Sequence, residues 1–409
     1  MSTGNFDAGG GGARTARWRT AVDVVRHLRH HPRPTRADLA RDLALTSGSA
    51  TEITGRLRRA KLLSEEPAPV AGRGRPTTLL RPHPEGPLTL AVEIRHEESR
   101  CAVATVDGRL HDVRTLRHDD GGPEQVRAGL AAAVRELRRR HRARLRVVSL
   151  AVAATVRDGR VVQSAALGWG PVDLAPLTAG THLPLLVGND ATLAGVAEAR
   201  TGATAGARTA LHLLVDVGVG GGLVVDGRPV VGATGAGGEV GHLPLGDPGR
   251  HCPCGATGCW DLEVDGRAIA RHLGDAPPTD ARDYAHRMLA RAASGDTGAA
   301  LAVRRVVAAL GRGTAGLVNA HDPDAVSLGG LAGPLRAAAP DDFQAAYAGG
   351  LMAFHRDRPP PVLDAAHGDL GALRGAAEVG LDRMTTGAAL AEWHGVATGD
   401  PAQSTWDRN

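Results

Sequence analysis

The sequence predicts an α/β protein in which a winged helix-turn-helix precedes a larger body of alternating strands and helices. Three observations predict it. The first ~80 residues read as helix, short helix, turn, helix and a hairpin with a basic tip. Charge divides at the same place: residues 1–90 carry 15 Lys and Arg against 8 Asp and Glu, whereas the remainder carries 33 against 36. From Pro87 onward apolar strands alternate with helical stretches to about Gly387, the texture of an α/β body. At 409 residues, 42% of them hydrophobic, the chain is long enough for two or three domains with a sizeable core.

The front is read element by element. Residues 1–15, with Gly9 to Gly12, read as a disordered leader, and the helix-turn-helix unit spans 16–82. Trp18, Val22, Val25 and Leu28 recur at helical spacing and make one apolar stripe, ended by Pro32 and Pro34. Thr35 with Asp38 three residues on is a capping box that opens a short helix burying Leu39, Ala40 and Leu43. Thr46 or Ser47 caps a third helix running to about Ala60, with Ala50, Ile53 and Leu57 inward. Leu62–Ser64 begins a strand, Gly72-Arg73-Gly74-Arg75-Pro76 makes a basic turn, and Leu79–Leu80 resumes extended structure.

This unit points to double-stranded DNA. The outward positions of the third helix are small or hydroxylated (Ser47, Gly48, Ser49, Thr51, Thr54), suited to base edges, and Arg56, Arg58 and Arg59 near its end suit phosphates. Arg73 and Arg75 at the wing tip suit a minor groove. The competing reading is a helical module that docks protein; the net positive front and basic wing favour DNA. Glu52 does not favour DNA contact, and Gly55 does not favour helicity.

Other classes are excluded or disfavoured. Only 2% of residues are aromatic, too few for a single-strand binder that stacks bases. No run reaches the roughly 18 apolar residues of a membrane span, and the start has no apolar signal core, so no membrane partner is expected and the location is cytoplasmic. Four cysteines do not make a disulfide scaffold.

Three of those cysteines cluster. Cys252, Cys254 and Cys259, with His242 ten residues before the first, supply three thiolates and an imidazole in a glycine-bent loop, a set that selects structural zinc with no open position. A redox pair is disfavoured by compartment and by the absence of Cys-x-x-Cys. Gly218, Gly220, Gly221 and Gly222 follow the apolar run Leu211–Val215; they suit either close approach of backbone to phosphate or sugar, or a plain glycine-rich hairpin. Asn189-Asp190 lies between a strand and a helix, where Asp190 suits a general base and the pair equally suits a helix N-cap. Glu239, three residues before His242, would be fixed by the ion and suits recognition of a polyhydroxyl ligand.

Taken together, Gly232–His242, Cys252–Trp260, Leu167-Gly168-Trp169, Gly188–Ala191, Gly218–Gly222, Leu328–Gly330 and Gly375–Ala377 occur in the order that resembles the ROK family of repressors, open reading frames and sugar kinases. A winged helix ending in Gly74-Arg75-Pro76 is similar to the repressor branch. The resemblance implies a two-lobed, actin-like sugar-kinase body over 87–389, hinged near 188–190, with a late helix returning to the first lobe; residues 390–409 themselves read as a disordered tail. It places Asn189, Asp190, Glu239 and His242 in a sugar site, with Asp190 matching the kinases' catalytic base. It adds Asp261 as a further sugar contact, where the family often has a glutamate and this chain a carboxylate shorter by one methylene.

One departure bears on activity. Sugar kinases of the family carry an Asp-x-Gly-Gly-Thr phosphate turn where this chain has Glu93-Ile94-Arg95-His96-Glu97-Glu98. Side chains replace the glycines there, and Glu97 and Glu98 would repel phosphate. Val217 stands where the second phosphate loop typically has Thr. The expectation is a DNA-binding regulator, a repressor, acting as a homodimer or dimer of dimers on an operator. It senses a sugar effector, uses structural zinc and makes no use of ATP–Mg. The alternative is a sugar kinase or a bifunctional kinase-regulator, for which Asp190 is retained.

Overall fold

A computed structural model describes residues 18–31, 33–68, 78–118 and 122–398. The wing-tip arginines Arg73 and Arg75, the leader 1–15 and residues 399–409 lie outside the described residues.

The front is three helices, α1 (Arg19–His30), α2 (Arg36–Asp42) and α3 (Ser47–Arg59), followed by the antiparallel hairpin β1 (Leu63–Pro67) and β2 (Thr78–Pro82). The capping box forms: Thr35 Oγ1 accepts from the Asp38 amide at 3.1 Å, and Asp38 Oδ2 accepts from the Thr35 amide at 2.9 Å. Thr46 caps α3 through the Ser49 amide, an arrangement worth about 1 kcal/mol. Thr54 differs from expectation. It is buried, and its hydroxyl donates to the Ala50 carbonyl, because position 54 follows Ala50 by one turn and so shares the inner face with Ile53 and Leu57.

The body holds two sheets of similar build. In the first, β3 (Leu88–Ile94), β4 (Glu98–Ala104) and β5 (Leu110–Arg117) form an antiparallel meander, and β6 (Leu145–Val152) and β9 (Leu185–Asn189) extend it in parallel, in the order β5-β4-β3-β6-β9. Helix α4 (Pro123–His141) covers one face with Val126, Leu130, Val134 and Leu137. A small hairpin, β7 (Thr155–Arg157) and β8 (Arg160–Gln163), projects from the end of β6. Helix α5 (Asp190–Thr201) leaves β9 and packs on the second sheet.

That second sheet runs β12-β11-β10-β13-β14. Its antiparallel strands are β10 (Thr209–Asp216), β11 (Gly218–Val225) and β12 (Arg228–Pro229), and its parallel ones are β13 (Ala325–Gly330) and β14 (Val362–Asp364). Helices α6 (Gly266–Leu273), α7 (Ala281–Ala293), α8 (Thr297–His321), α9 (Ala332–Ala338) and α10 (Pro340–Gly350) build its core with Trp260, Val306, Leu310 and Phe343. Helix α11 (Gly371–Met384) returns to the first sheet and packs on α5, β3 and β6. This is a two-lobed, actin-like α/β body behind a winged helix-turn-helix.

Residues 390–398, expected as irregular tail, instead belong to α12 (Gly387–Thr398). Leu390 and Trp393, one helical turn apart, bury against the front of the chain, and one apolar cluster joins Trp18, Val25, Leu57 and Leu62 to Val147, Leu381, Met384 and Trp393. The Trp393 indole donates to the Ala60 carbonyl at 2.7 Å, and Arg146 pairs with Glu392. Arg29 of α1, almost fully buried, reaches Glu378 (3.4 Å), Asp382 (2.7 Å) and the Thr385 hydroxyl (2.8 Å). The winged helix therefore shares its core with the body.

Candidate functional site

A cleft opens between the lobes where the C-terminal ends of β3, β6 and β9 face the β10–β11 turn. Asn189, Asp190, Glu239, His242 and Asp261 all line it, together with Glu93, Arg95, Thr155, Asp216 and Arg267.

Asn189-Asp190 forms the helix N-cap at the rim of the cleft. Asn189 Oδ1 caps α5 by accepting from the Thr192 amide at 2.9 Å, and its Nδ2 donates to the Ala154 carbonyl at 3.2 Å. The cap leaves Asp190 in the cleft. Burial pushes its carboxyl up to about 6 against the opposing bond from the Ala191 amide, and Asp216 and Glu239 add to the rise. Glycine sets how closely α5 approaches the second sheet. A Cβ at Gly222 would stand 2.9 Å from Thr192 Cα, so glycine lets the first turn of α5 press against β11. The Gly218–Gly222 segment is a strand of the β10–β11 hairpin.

Asp261 has both oxygens engaged. Oδ1 accepts from the Val219 amide at 2.8 Å and Oδ2 from Arg267 at 3.2 Å. It thereby ties the β10–β11 turn to the loop that precedes α6, and Gly218, at φ +104°, leaves the room it needs.

His242 faces two ways. Its Nδ1 lies 3.7 Å from Cys252 Sγ, while its Nε2 lies 3.8 Å from Glu239 Oε2. Cys254 Sγ and Cys259 Sγ are 3.7 Å apart, and ligand atoms of all four residues lie within 4.8 Å of one another. Thiolates about 2.3 Å from one tetrahedral ion stand about 3.8 Å apart, so the donor set fits a tetrahedral metal ion. Burial and the neighbouring thiols push the Cys259 thiol up to about 12, and a cation is what would let these sulfurs ionise together. Glu239, on the far side of the imidazole, accepts from Thr155 Oγ1 of the first lobe at 2.7 Å.

Residues 93–98, which the resemblance sets against a kinase phosphate turn, carry an ion pair across the cleft. Arg95 points across the cleft and pairs with Asp216 (3.0 Å) and Asp369 (3.4 Å). Arg282 joins the same two carboxylates, and Arg100 also reaches Asp369. Burial opposes the Arg95 charge, but Asp216, Glu93 and Asp369 more than offset it and raise its pKa. Although burial works against its charge too, Asp369 is held down at about 2 by Arg95 and Arg282. Glu93, 5% exposed and with Oε2 lacking a hydrogen-bond partner, is pushed by burial up to about 7. Sequence reasoning took this stretch as a loss of glycines and missed the gain of an interlobe cation. The signal was Arg95 itself, a basic residue where backbone was expected. Nothing in the sequence marked Thr155, Asp216 or Asp369.

In the winged helix, Ser47, Ser49 and Thr51 are exposed on α3, as are Arg58 and Arg59. Arg58 pairs with Glu65, and Arg56 lies half-buried with its guanidinium 5.5 Å from the Trp18 ring centroid. Arg56 is thus placed to brace α3 on α1 as well as to face outward.

Residues 89–382 match the ROK family across their whole extent. The chain belongs to the ROK family. The N-acetylmannosamine kinase of Escherichia coli strain SE11 is 33% identical over 253 residues, covering 60% of this chain and 83% of the kinase. A crystal structure of a ROK family transcriptional regulator, a homologue of the E. coli MLC protein, superposes with a TM-score of 0.71 at 22% identity, covering 92% of this chain and 98% of the regulator. A ROK family glucokinase from Streptomyces griseus, in complex with glucose and AMPPNP, gives 0.62 at 24% identity and covers 71% of this chain and 98% of the kinase. These ROK structures share the fold; the helices ahead of the body accompany the wider match to the regulator. No helix among the described residues is long and apolar enough to cross a membrane.

Proposed function

We propose that this ROK protein is a cytoplasmic DNA-binding transcriptional regulator, a repressor, whose interlobe cleft senses a sugar. The observation that carries the reading is the joining of an exposed, hydroxyl-rich α3 face (Ser47, Ser49, Thr51) to the cleft-bearing body through one continuous apolar core. DNA contacts come from that face, from Arg56 and Arg58, and from the wing arginines Arg73 and Arg75. Sugar hydroxyls are recognised by Asn189, Asp190, Glu239 and His242. Asp261 acts from behind by holding the β10–β11 turn.

Zinc is the ion that His242, Cys252, Cys254 and Cys259 would hold. It supplies a fixed point for the imidazole, so that Glu239 and His242 keep their orientation toward the ligand. A change in lobe closure on sugar binding then alters the separation of paired winged helices in a homodimer or dimer of dimers, and with it affinity for operator half-sites. The Arg95–Asp216–Asp369 pairing supports a sensor over an enzyme, because a cation of the protein's own stands where the phosphate turn of the family's kinases would lie.

The second reading is a sugar kinase, favoured by Asp190, whose raised carboxyl suits a general base, and by the kinase relatives. Thermal-shift screening against sugars and sugar phosphates, with and without ATP–Mg, separates the two. Ligand at a hundredfold over its Kd adds about 2.7 kcal/mol. Stabilisation by a sugar with ATP silent is the result expected. Stabilisation by ATP, with ADP release abolished by Asp190→Asn, would make it a kinase.

A further inference from the structure

The winged helix carries a second constellation of metal-type ligands, outside the cleft lining. His27 and His31 lie one helical turn apart at the end of α1, and Asp42 is the last residue of α2. Ligand atoms of the three lie within 4.8 Å of one another. Histidines at i and i+4 on one face are a spacing that chelates divalent metal.

The local geometry favours an ion over a direct contact. The His27 ring is buried, with its side chain 6% exposed, and Nε2 has no hydrogen-bond partner. Nε2 points at Asp42 Oδ2 across 3.5 Å, too far for a good hydrogen bond. Nitrogen and oxygen ligands each about 2.1 Å from one tetrahedral ion stand about 3.4 Å apart, so the separation fits a shared cation.

The supporting bonds also fit. His31 Nδ1 lies 3.3 Å from the His27 carbonyl, which leaves Nε2 for the metal, and Arg41 Nε donates to Asp42 Oδ1 at 2.8 Å, which turns Oδ2 toward His27. Ligating imidazoles and carboxylates are commonly held by such outer bonds. The two rings stack with centroids 4.0 Å apart and planes 12° from parallel, so their in-plane lone pairs converge on one ion only when the exposed His31 ring swings out of the stack, a turn its exposure permits. His31 and Asp42 are exposed, which gives an ion a path in and leaves room for water.

We propose that His27, His31 and Asp42 form a second metal site, for a divalent first-row transition ion, that staples α1 to α2 within the winged helix. Two imidazoles and one carboxylate suit zinc, cobalt or nickel in preference to calcium or magnesium. The bound ion would fix the scaffold on which α3 is presented. The inference is independent of what the cleft binds.

Cobalt(II) titration of the metal-free full-length protein tests it, because the two sites differ in spectrum. One ion should bring thiolate-to-cobalt charge-transfer absorption, from Cys252, Cys254 and Cys259. A second should bind without adding to that band. His31→Ala, a change at an exposed position, should leave the thiolate band intact and reduce uptake to one ion per chain. Asp42→Asn, which keeps the side-chain shape, should weaken the second ion by about tenfold or more. Uptake of a single ion by the wild-type protein, or undiminished uptake by His31→Ala, overturns the proposal.

Discussion

The Thr155 hydroxyl, in the first lobe, donates at 2.7 Å to a Glu239 carboxylate held in the second, so the two lobes are already joined through a residue proposed to bind sugar. A ligand that uses Glu239 must share this carboxylate or displace Thr155 from it. Glu239→Ala is expected to weaken the stabilising sugar by about 1.5–3 kcal/mol, the worth of a hydrogen bond to a charged group, or about ten- to a hundredfold. Thr155→Val keeps the acceptor and should cost less than about tenfold. Isothermal titration measures both, and an unchanged Kd in Glu239→Ala would locate the sugar elsewhere.

The four-donor metal site is expected to contribute folding energy and ligand response together, since His242 belongs to both it and the cleft. Chelation should lower Tm, and zinc should restore it. Cys254→Ser should lose the sugar-induced Tm shift. Retention of the full shift would uncouple the ion from the cleft.

Glu93 predicts a pH dependence of stability. Its folded-state carboxyl sits at about 7, above the ordinary value of about 4.3 in an unfolded chain. Between these values the folded state holds the extra proton, so stability is lost as pH rises from about 4.5 to about 7. Asp190, raised to about 6, acts in the same direction over a narrower window. Glu93→Gln should therefore stabilise the protein at pH 8 relative to wild type, with the gain shrinking at pH 5. Denaturant unfolding at the two pH values checks this; a gain independent of pH would contradict it.

Arg29 is expected to be the most costly charged residue to remove from the interface between winged helix and body. Truncating one partner of a buried pair costs about 3–5 kcal/mol. Arg200 also reaches Glu378 and Asp382, so Arg29→Ala should fall near the lower end. Its second signature is functional: the sugar-induced change in operator affinity should shrink while sugar affinity is kept. Denaturant unfolding and DNA titration with and without sugar measure the two.

Local rules made the front of the chain legible. The Thr35–Asp38 box and the Thr46 cap are decided by side chains three residues apart, so the sequence states them outright. The cysteine loop was equally plain, because three thiols within eight positions have few other uses. Thr54 was misassigned because composition was read in place of angular position: a hydroxyl suggested exposure, while its spacing from Ala50 dictates burial. Helix α12 was missed because its apolar stripe is short and Gly395 with the later Gly-Asp-Pro reads as a breaker. What stabilises it is the front of the chain, a partner no local window contains. The role of Arg95 went unseen for a related reason. Its partners Asp216 and Asp369 are brought to it by the closing of two lobes, and no spacing in the sequence announces them.

The bond from Trp393 to Ala60 spans 333 residues, and this sets an order of assembly. A ribosome that adds about 5–20 residues per second exposes α1 and α3 on the order of tens of seconds before the helix that completes their core exists. During that interval the apolar faces of Trp18, Val25 and Leu57 have only each other and any helper protein to cover them. The winged helix, made well ahead of α12, is thus completed only when α12 arrives, and a chain that stalls midway carries it unfinished.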